Sequence, residues 1–324
     1  MSVANILFLV ALTLSTSASF ASEKVIYGAD NRLDVMGVTN ALHKRLALST
    51  AAMVENKKIQ KDTNGNCRLN FDETLETGAN VCESEAFSQQ SIGAMCSGFL
   101  VGDDVLVTAG HCLKLLGGMG YPTAESVCKG FSWVFNYAVD SRARDPRVGK
   151  TSDVYGCKQV VVATLNNTQD FAVIKLDRKV AGRLPLKFRE SGKIADRTSL
   201  VVIGHPSGLP SKIAAGARVL QNRDTMTFVT NLDTFHGNSG SAVFDATTGV
   251  LEGILIQGQT DYRASDERDF GSCQVVNRCE ENGLGCELPT LNPAAPKGEV
   301  VTRITQVVSF IKAARLPARI PARR

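Results

Sequence analysis

Val107-Thr108-Ala109-Gly110-His111-Cys112 sets a histidine just past an apolar strand pattern, at a tight corner made by two small residues. A strand end of this kind holds an imidazole rigidly, and alone it would read as structural. Downstream, Gly237-Asn238-Ser239-Gly240-Ser241 places a serine between glycines and between two strands. Glycine on both sides lets the backbone bend so that the Ser239 hydroxyl is exposed and the N–H groups of Gly237 and Ser239 share one space, as stabilisation of an oxyanion requires. Asp170-Phe171-Ala172-Val173-Ile174-Lys175-Leu176 lies between the two, an acid opening an apolar strand behind the polar loop Asn166-Asn167-Thr168-Gln169. A histidine that takes a proton from serine needs such an acid to hold its tautomer.

The order of the three segments is the decisive feature. His111, Asp170 and Ser239 run His…Asp…Ser, whereas α/β-hydrolases run Ser…Asp…His and subtilisins Asp…His…Ser. No histidine follows Ser239, and Ser241 stands where a Gly-x-Ser-x-Gly motif needs glycine, so the α/β-hydrolase reading is excluded. The segments resemble those of trypsin-like serine peptidases of chymotrypsin fold, specifically the bacterial branch with the glutamyl endopeptidases. The resemblance covers roughly residues 90–258 and the final helix. It implies an all-β fold of two six-stranded barrels with a C-terminal α-helix and a site in the cleft between barrels. It further implies a Cys96–Cys112 disulfide beside the histidine, and the hairpin Gly98–Val101/Val105–Thr108 between these cysteines agrees with it. The implied chemistry is acyl transfer from a protein or peptide substrate without a cofactor or metal. In it His111 is the base, Ser239 the nucleophile, Asp170 the orienting acid, and the N–H groups of Gly237 and Ser239 the oxyanion hole.

Departures from the family pattern bear on activation and specificity. Vertebrate trypsin-like enzymes carry an aspartate before the nucleophile, and this chain has the neutral Asn238, so a switch relying on an ion pair with a new N-terminus is not expected. Val25-Ile26-Tyr27-Gly28-Ala29-Asp30-Asn31-Arg32 resembles a mature start, which implies removal of a short propeptide, residues 22–24. Asp233 stands where the fold places the floor of the primary specificity pocket and is expected to receive Lys or Arg. Thr234 matches glutamyl endopeptidases, but Leu255 of Leu255-Ile256-Gln257-Gly258 replaces their glutamate-reading histidine. Backbone of Leu255, Ile256 and Gln257 is expected to pair with substrate. A glutamate-specific peptidase and a catalytically silent binding module of the same fold are the alternatives. His205, in Gly204-His205-Pro206, reads as a turn residue, and His236 as one at the cleft mouth.

Further out, the chain of 324 residues is 44% apolar, 21% charged and 6% aromatic, a composition that supports a packed core. The net charge is +4, but Lys312, Arg315, Arg319, Arg323 and Arg324 sit at the very end, leaving a near-neutral body without the basic face a nucleic-acid binder needs. The apolar run Ile6–Leu12 is too short to span a membrane and ends at Ser19-Phe20-Ala21, so residues 1–21 read as a signal peptide and the protein as secreted, extracellular or periplasmic, without membrane insertion. Nine cysteines fit an oxidising compartment and leave at least one unpaired. A zinc cluster of Cys273, Cys279 and Cys286 lacks any Cys-x-x-Cys pair or following histidine. Cys128 and Cys157 are expected to pair.

One peptidase domain is expected over residues 25–314, with surface elaborations at 53–95 and 259–298 and a basic tail at 315–324. Expected strands are Gly98–Val101, Val105–Thr108, Phe131–Tyr137, Lys158–Leu165, Phe171–Leu176, Ser199–Ile203, Thr225–Asn231, Ser241–Phe244 and Val250–Gln257. Ile304, Val307, Val308 and Ile311 recur at helical spacing before Pro317.

Overall fold

Short apolar runs punctuated by Gly, Asp and Asn can hide their backbone polar groups by pairing strands edge to edge until no edge remains. The computed structural model, which describes residues 25–116, 119–140, 146–265, 273–288 and 297–316, does this twice. Strands β1 (Thr50–Glu55), β2 (Cys96–Leu100), β3 (Val105–Thr108), β4 (Phe131–Phe135), β5 (Val154–Leu165) and β6 (Asp170–Leu176) close an antiparallel barrel in the order β5-β6-β3-β2-β1-β4. Strands β7 (Ser199–Gly204), β8 (Lys212–Gln221), β9 (Thr227–Thr230), β10 (Ala242–Asp245), β11 (Leu251–Gln257) and β12 (Glu299–Arg303) close a second in the order β7-β10-β11-β12-β9-β8, completed by antiparallel pairing of β7 with β8. Strand Arg32–Asp34 adds to β8 from outside the ring. This is the double barrel that the sequence implied.

Phe99, Phe131, Trp133, Phe135 and Tyr155 fill the first barrel, each fully buried side chain contributing on the order of 2–3 kcal/mol. The same apolar cluster continues through Ile203, Ile213, Phe244 and Ile254 of the second barrel, so the seam between barrels is core rather than interface. The C-terminal helix, Val308–Arg315, follows a strand of the second barrel and packs Ile311 and Ala314 into that cluster, against β3, β5 and β6 of the first. Lys175 of β6 donates to the Ala314 carbonyl at 3.0 Å, a cation at the end where the helix exposes unpaired carbonyls. Among the described residues no helix is long and apolar enough to cross a membrane.

Each expected strand falls on a barrel strand, but β1, β8 and β12 lay outside the expected set. One boundary needs correction: Met53 and Val54 of the expected 53–95 surface elaboration belong to β1 and are buried. Cys67, Leu69, Phe71 and Ala94 of the same segment pack with Ala52, Val54 and Tyr137 as a satellite core, because a small barrel leaves apolar positions on its outer face for such a cover. In the 259–298 segment, Tyr262–Ala264 pairs with Gln274–Val276, and Arg278–Cys279 pairs in parallel with Ile26–Tyr27. Four disulfides form: Cys96–Cys112 and Cys128–Cys157 as expected, with Cys82–Cys273 and Cys279–Cys286. Cys67 is the free, buried cysteine. The signal peptide, the 22–24 propeptide and Pro317 onward lie outside the described residues.

Candidate active site

Strand β3 ends at Thr108, and the chain turns through Ala109 and Gly110 into a single helical turn, His111–Lys114. Any Cβ on Gly110 would collide with the Thr164 carbonyl, so the corner closes this tightly only on glycine. One carboxylate, Asp170, then grips His111 twice: Oδ1 accepts the backbone N–H at 3.0 Å and Oδ2 accepts from ring Nδ1 at 2.7 Å. This fixes the proton on Nδ1 and leaves Nε2 as the basic atom. Thr302 of β12 donates its hydroxyl to the Asp170 carbonyl at 3.1 Å, so the second barrel braces the acid of the first.

The Ser239 loop is docked against that strand end. Ser97 of β2 donates its N–H to the Ser239 carbonyl and its hydroxyl to the Gly237 carbonyl, both at 2.8 Å, while taking the His205 N–H at 2.9 Å. Gly240, at φ +84°, donates to the Leu255 carbonyl, and a Cβ there would collide with the Ser97 carbonyl and the Thr108 hydroxyl. Cys112 Sγ lies 3.6 Å from the Ser239 carbonyl. Serine loop and histidine corner therefore share one patch of backbone, across the seam. Sequence reasoning missed Ser97 and Thr302; adjacency of Ser97 to Cys96 was the available signal. Cys96, His111 and Cys112 cluster within 4.8 Å, but the two sulfurs are joined, so no thiolate is offered there to a metal. Cys273, Cys279 and Cys286 sit in two separate disulfides.

The pocket residues divide. Asp233 does not form an open floor: it is 4% exposed, and its oxygens accept the N–H groups of Tyr27 and Asn31, each at 2.8 Å. The carboxylate is occupied by the N-terminal segment because two unpaired backbone donors there had to be satisfied. Leu255 also leaves the pocket; fully buried, it packs with Phe228, Leu232, Val243 and Val301 in the second barrel's core. Ile256 is half-buried and Gln257 exposed. Thr234 is buried and donates its hydroxyl to Glu299, an acid that the sequence reading passed over. Glu299 also accepts from the Tyr27 hydroxyl at 3.1 Å and the Gln259 N–H at 3.3 Å, and a Cβ on Gly258 would run into its carboxylate.

His205 is no substrate contact. It is 1% exposed, stacks on Tyr137 with centroids 5.6 Å apart and shares a hydrogen bond through Nδ1 with the Leu209 carbonyl.

Burial pushes the His205 imidazole down to about 3 and the Asp233 carboxyl up to about 7, against the N–H donors that pull the latter down. Between pH 3 and 6.5 the unfolded chain takes a proton at His205 that the folded chain refuses, so this group makes stability rise with pH. Between pH 3.8 and 7 folded Asp233 keeps a proton that the unfolded chain has released, so stability falls with pH. Each is worth on the order of 4 kcal/mol, and they oppose across the shared window. Asp233→Asn is therefore expected to uncover a slope of about 1 kcal/mol per pH unit, stability rising from about pH 4 to 6.5. Urea unfolding at several pH values checks it; an unchanged slope contradicts the Asp233 assignment.

Residues 96–254 match the family described as trypsin-like peptidase domain. Among solved structures, a Glu endopeptidase in complex with MPD is similar at TM-score 0.51 and 18% identity, over 90% of this chain and 99% of that one, a likeness of fold. Neuropsin, a serine protease expressed in the limbic system of mouse brain, gives a TM-score of 0.48 at 14% identity, over 85% and 96% of the two chains. No curated protein matches the chain.

Proposed function

Since this chain belongs to the trypsin-like peptidase family, we propose that it is a secreted serine endopeptidase with Ser239 as nucleophile, His111 as base and Asp170 as orienting acid. The observation that carries the reading is the two-point grip of Asp170 on His111, beside the backbone against which Ser97 pins the Ser239 loop. Nε2 takes the Ser239 proton as Oγ attacks the peptide carbonyl, and the oxyanion is stabilised by the N–H groups of Gly237 and Ser239. The imidazolium returns the proton to the departing amine. Water, deprotonated by the same nitrogen, then hydrolyses the ester. Four disulfides support export to an oxidising compartment.

Cleavage after Lys or Arg is the specificity we favour. The buried Glu299 carboxyl lies directly behind Thr234, and negative charge there favours a cation and opposes a glutamate side chain. The Thr234 hydroxyl, which a glutamate-specific site would use, is already donated to Glu299. Digesting a diverse peptide library with the signal-free protein and with Ser239→Ala tests both levels. Cuts after Lys or Arg that vanish in the variant are expected; cuts after Glu would overturn the specificity, and cleavage surviving in Ser239→Ala would overturn the mechanism.

A further inference from the structure

From Phe228 to Phe244 every residue is buried except His236. It precedes Gly237, so the rotation of the peptide between them decides whether an N–H or a carbonyl oxygen faces the reacting carbonyl. All described peptides are trans, which sets the His236 carbonyl and the Gly237 N–H on opposite sides. The carbonyl accepts the Ser207 N–H at 2.6 Å. Ahead of that peptide, the His236 N–H donates to Asp261 Oδ2 at 3.0 Å, and ring Nδ1 bonds the same oxygen at 2.6 Å. Tyr262, next in the chain, shares a 2.6 Å hydrogen bond with the Ser207 hydroxyl, and Ser207 sits in the left-handed region at φ 52°. Asp261 thus holds His236 directly, and Tyr262, through Ser207, holds its carbonyl.

Asn238 does not do this work, since its side-chain oxygen accepts the Ser241 hydroxyl at 3.1 Å. Asp261 is itself anchored: its carbonyl accepts the Asn277 N–H at 2.9 Å, and the Asn277 side chain donates to the Thr260 carbonyl at 2.8 Å. Its Oδ1 is buried without a partner, so the carboxylate spends its one bonded oxygen wholly on His236. We propose that Asp261 is a positioning residue that preforms the oxyanion hole by locking the His236–Gly237 peptide, without an ion pair from a new N-terminus. This rests on the serine-peptidase reading above. Released, the peptide is free to rotate its carbonyl oxygen towards the place where negative charge develops.

Three variants of the full chain separate the roles, assayed on a peptide ester and with a peptide aldehyde, which forms a tetrahedral oxyanion adduct. Asp261→Ala is expected to lower kcat about 100-fold with KM changed less than about threefold, and to weaken the aldehyde by a similar factor. Asp261→Asn keeps an oxygen for the His236 N–H and is expected to recover to within about tenfold of the parent kcat. His236→Ala keeps the backbone donor and is expected to stay close to the parent. An unchanged kcat in Asp261→Ala, a loss carried by KM alone, or an equal loss in His236→Ala overturns the proposal. Should Asp261→Ala fail to fold, Tyr262→Phe is expected to show a smaller loss confined to kcat, and its absence overturns the proposal equally. Failure of the underlying reading looks different, as ester turnover surviving in Ser239→Ala.

Discussion

Asp170→Asn is expected to lower kcat by about 10⁴-fold with little change in KM. The asparagine oxygen takes the His111 backbone N–H, so the corner keeps its shape, but its NH₂ then faces Nδ1, which must become an acceptor. The proton moves to Nε2, the atom that must be free to receive one from Ser239. The defect is therefore in tautomer rather than in fold, and unfolding temperature is expected to stay near that of the parent. Steady-state kinetics on a peptide substrate checks this; a loss below tenfold would mean that the acid braces the corner without serving the base.

The largest stability effect is expected from the Cys82–Cys273 bridge, whose cysteines are 191 residues apart. Opening a loop of that size releases about 5 kcal/mol of chain entropy, against about 2 kcal/mol for Cys279–Cys286, separated by seven residues. Cys82→Ser/Cys273→Ser should fall in denaturant midpoint well below Cys279→Ser/Cys286→Ser. Cys273 lies beside Gln274–Val276, which pairs with Tyr262–Ala264, so the long bridge also ties down the segment that carries Asp261 and Tyr262. Activity is expected to fall before the barrels melt. Equal midpoints for the two double variants would show that the long loop is already constrained without its disulfide.

The parts of the fold legible in the sequence are those whose side chains announce them. Val105–Thr108 and Leu251–Gln257 are rich in aliphatic residues and bounded by turn chemistry, and both are barrel strands. The three strands overlooked lack that signal. Lys212–Gln221 carries three alanines and a glycine, Thr50–Glu55 has paired alanines and runs into lysines, and Glu299–Arg303 sits between an irregular insert and an amphipathic helix. Ring closure, not propensity, makes strands of them: β1 receives backbone pairing from both β2 and β4.

Site residues divide in the same way. The meeting of Asp170 with His111 and the docking of the Ser239 loop beside them were readable because glycine and strand edges around these residues follow local rules. Asp233 was misplaced because sequence position says where a carboxylate is and not which donors it meets; Tyr27 and Asn31, about two hundred residues earlier, take it. Glu299 and Asp261 were invisible for the same reason, since each acts on a partner in another element.

The central claim, a Ser239 nucleophile activated by His111, is tested most directly by labelling the purified protein with a fluorophosphonate and mapping the adduct by mass spectrometry. One adduct is expected, on Ser239, absent in Ser239→Ala and slowed by a factor of about 10⁴ or more in His111→Ala. An adduct on another residue, or one forming as fast without His111, would contradict it.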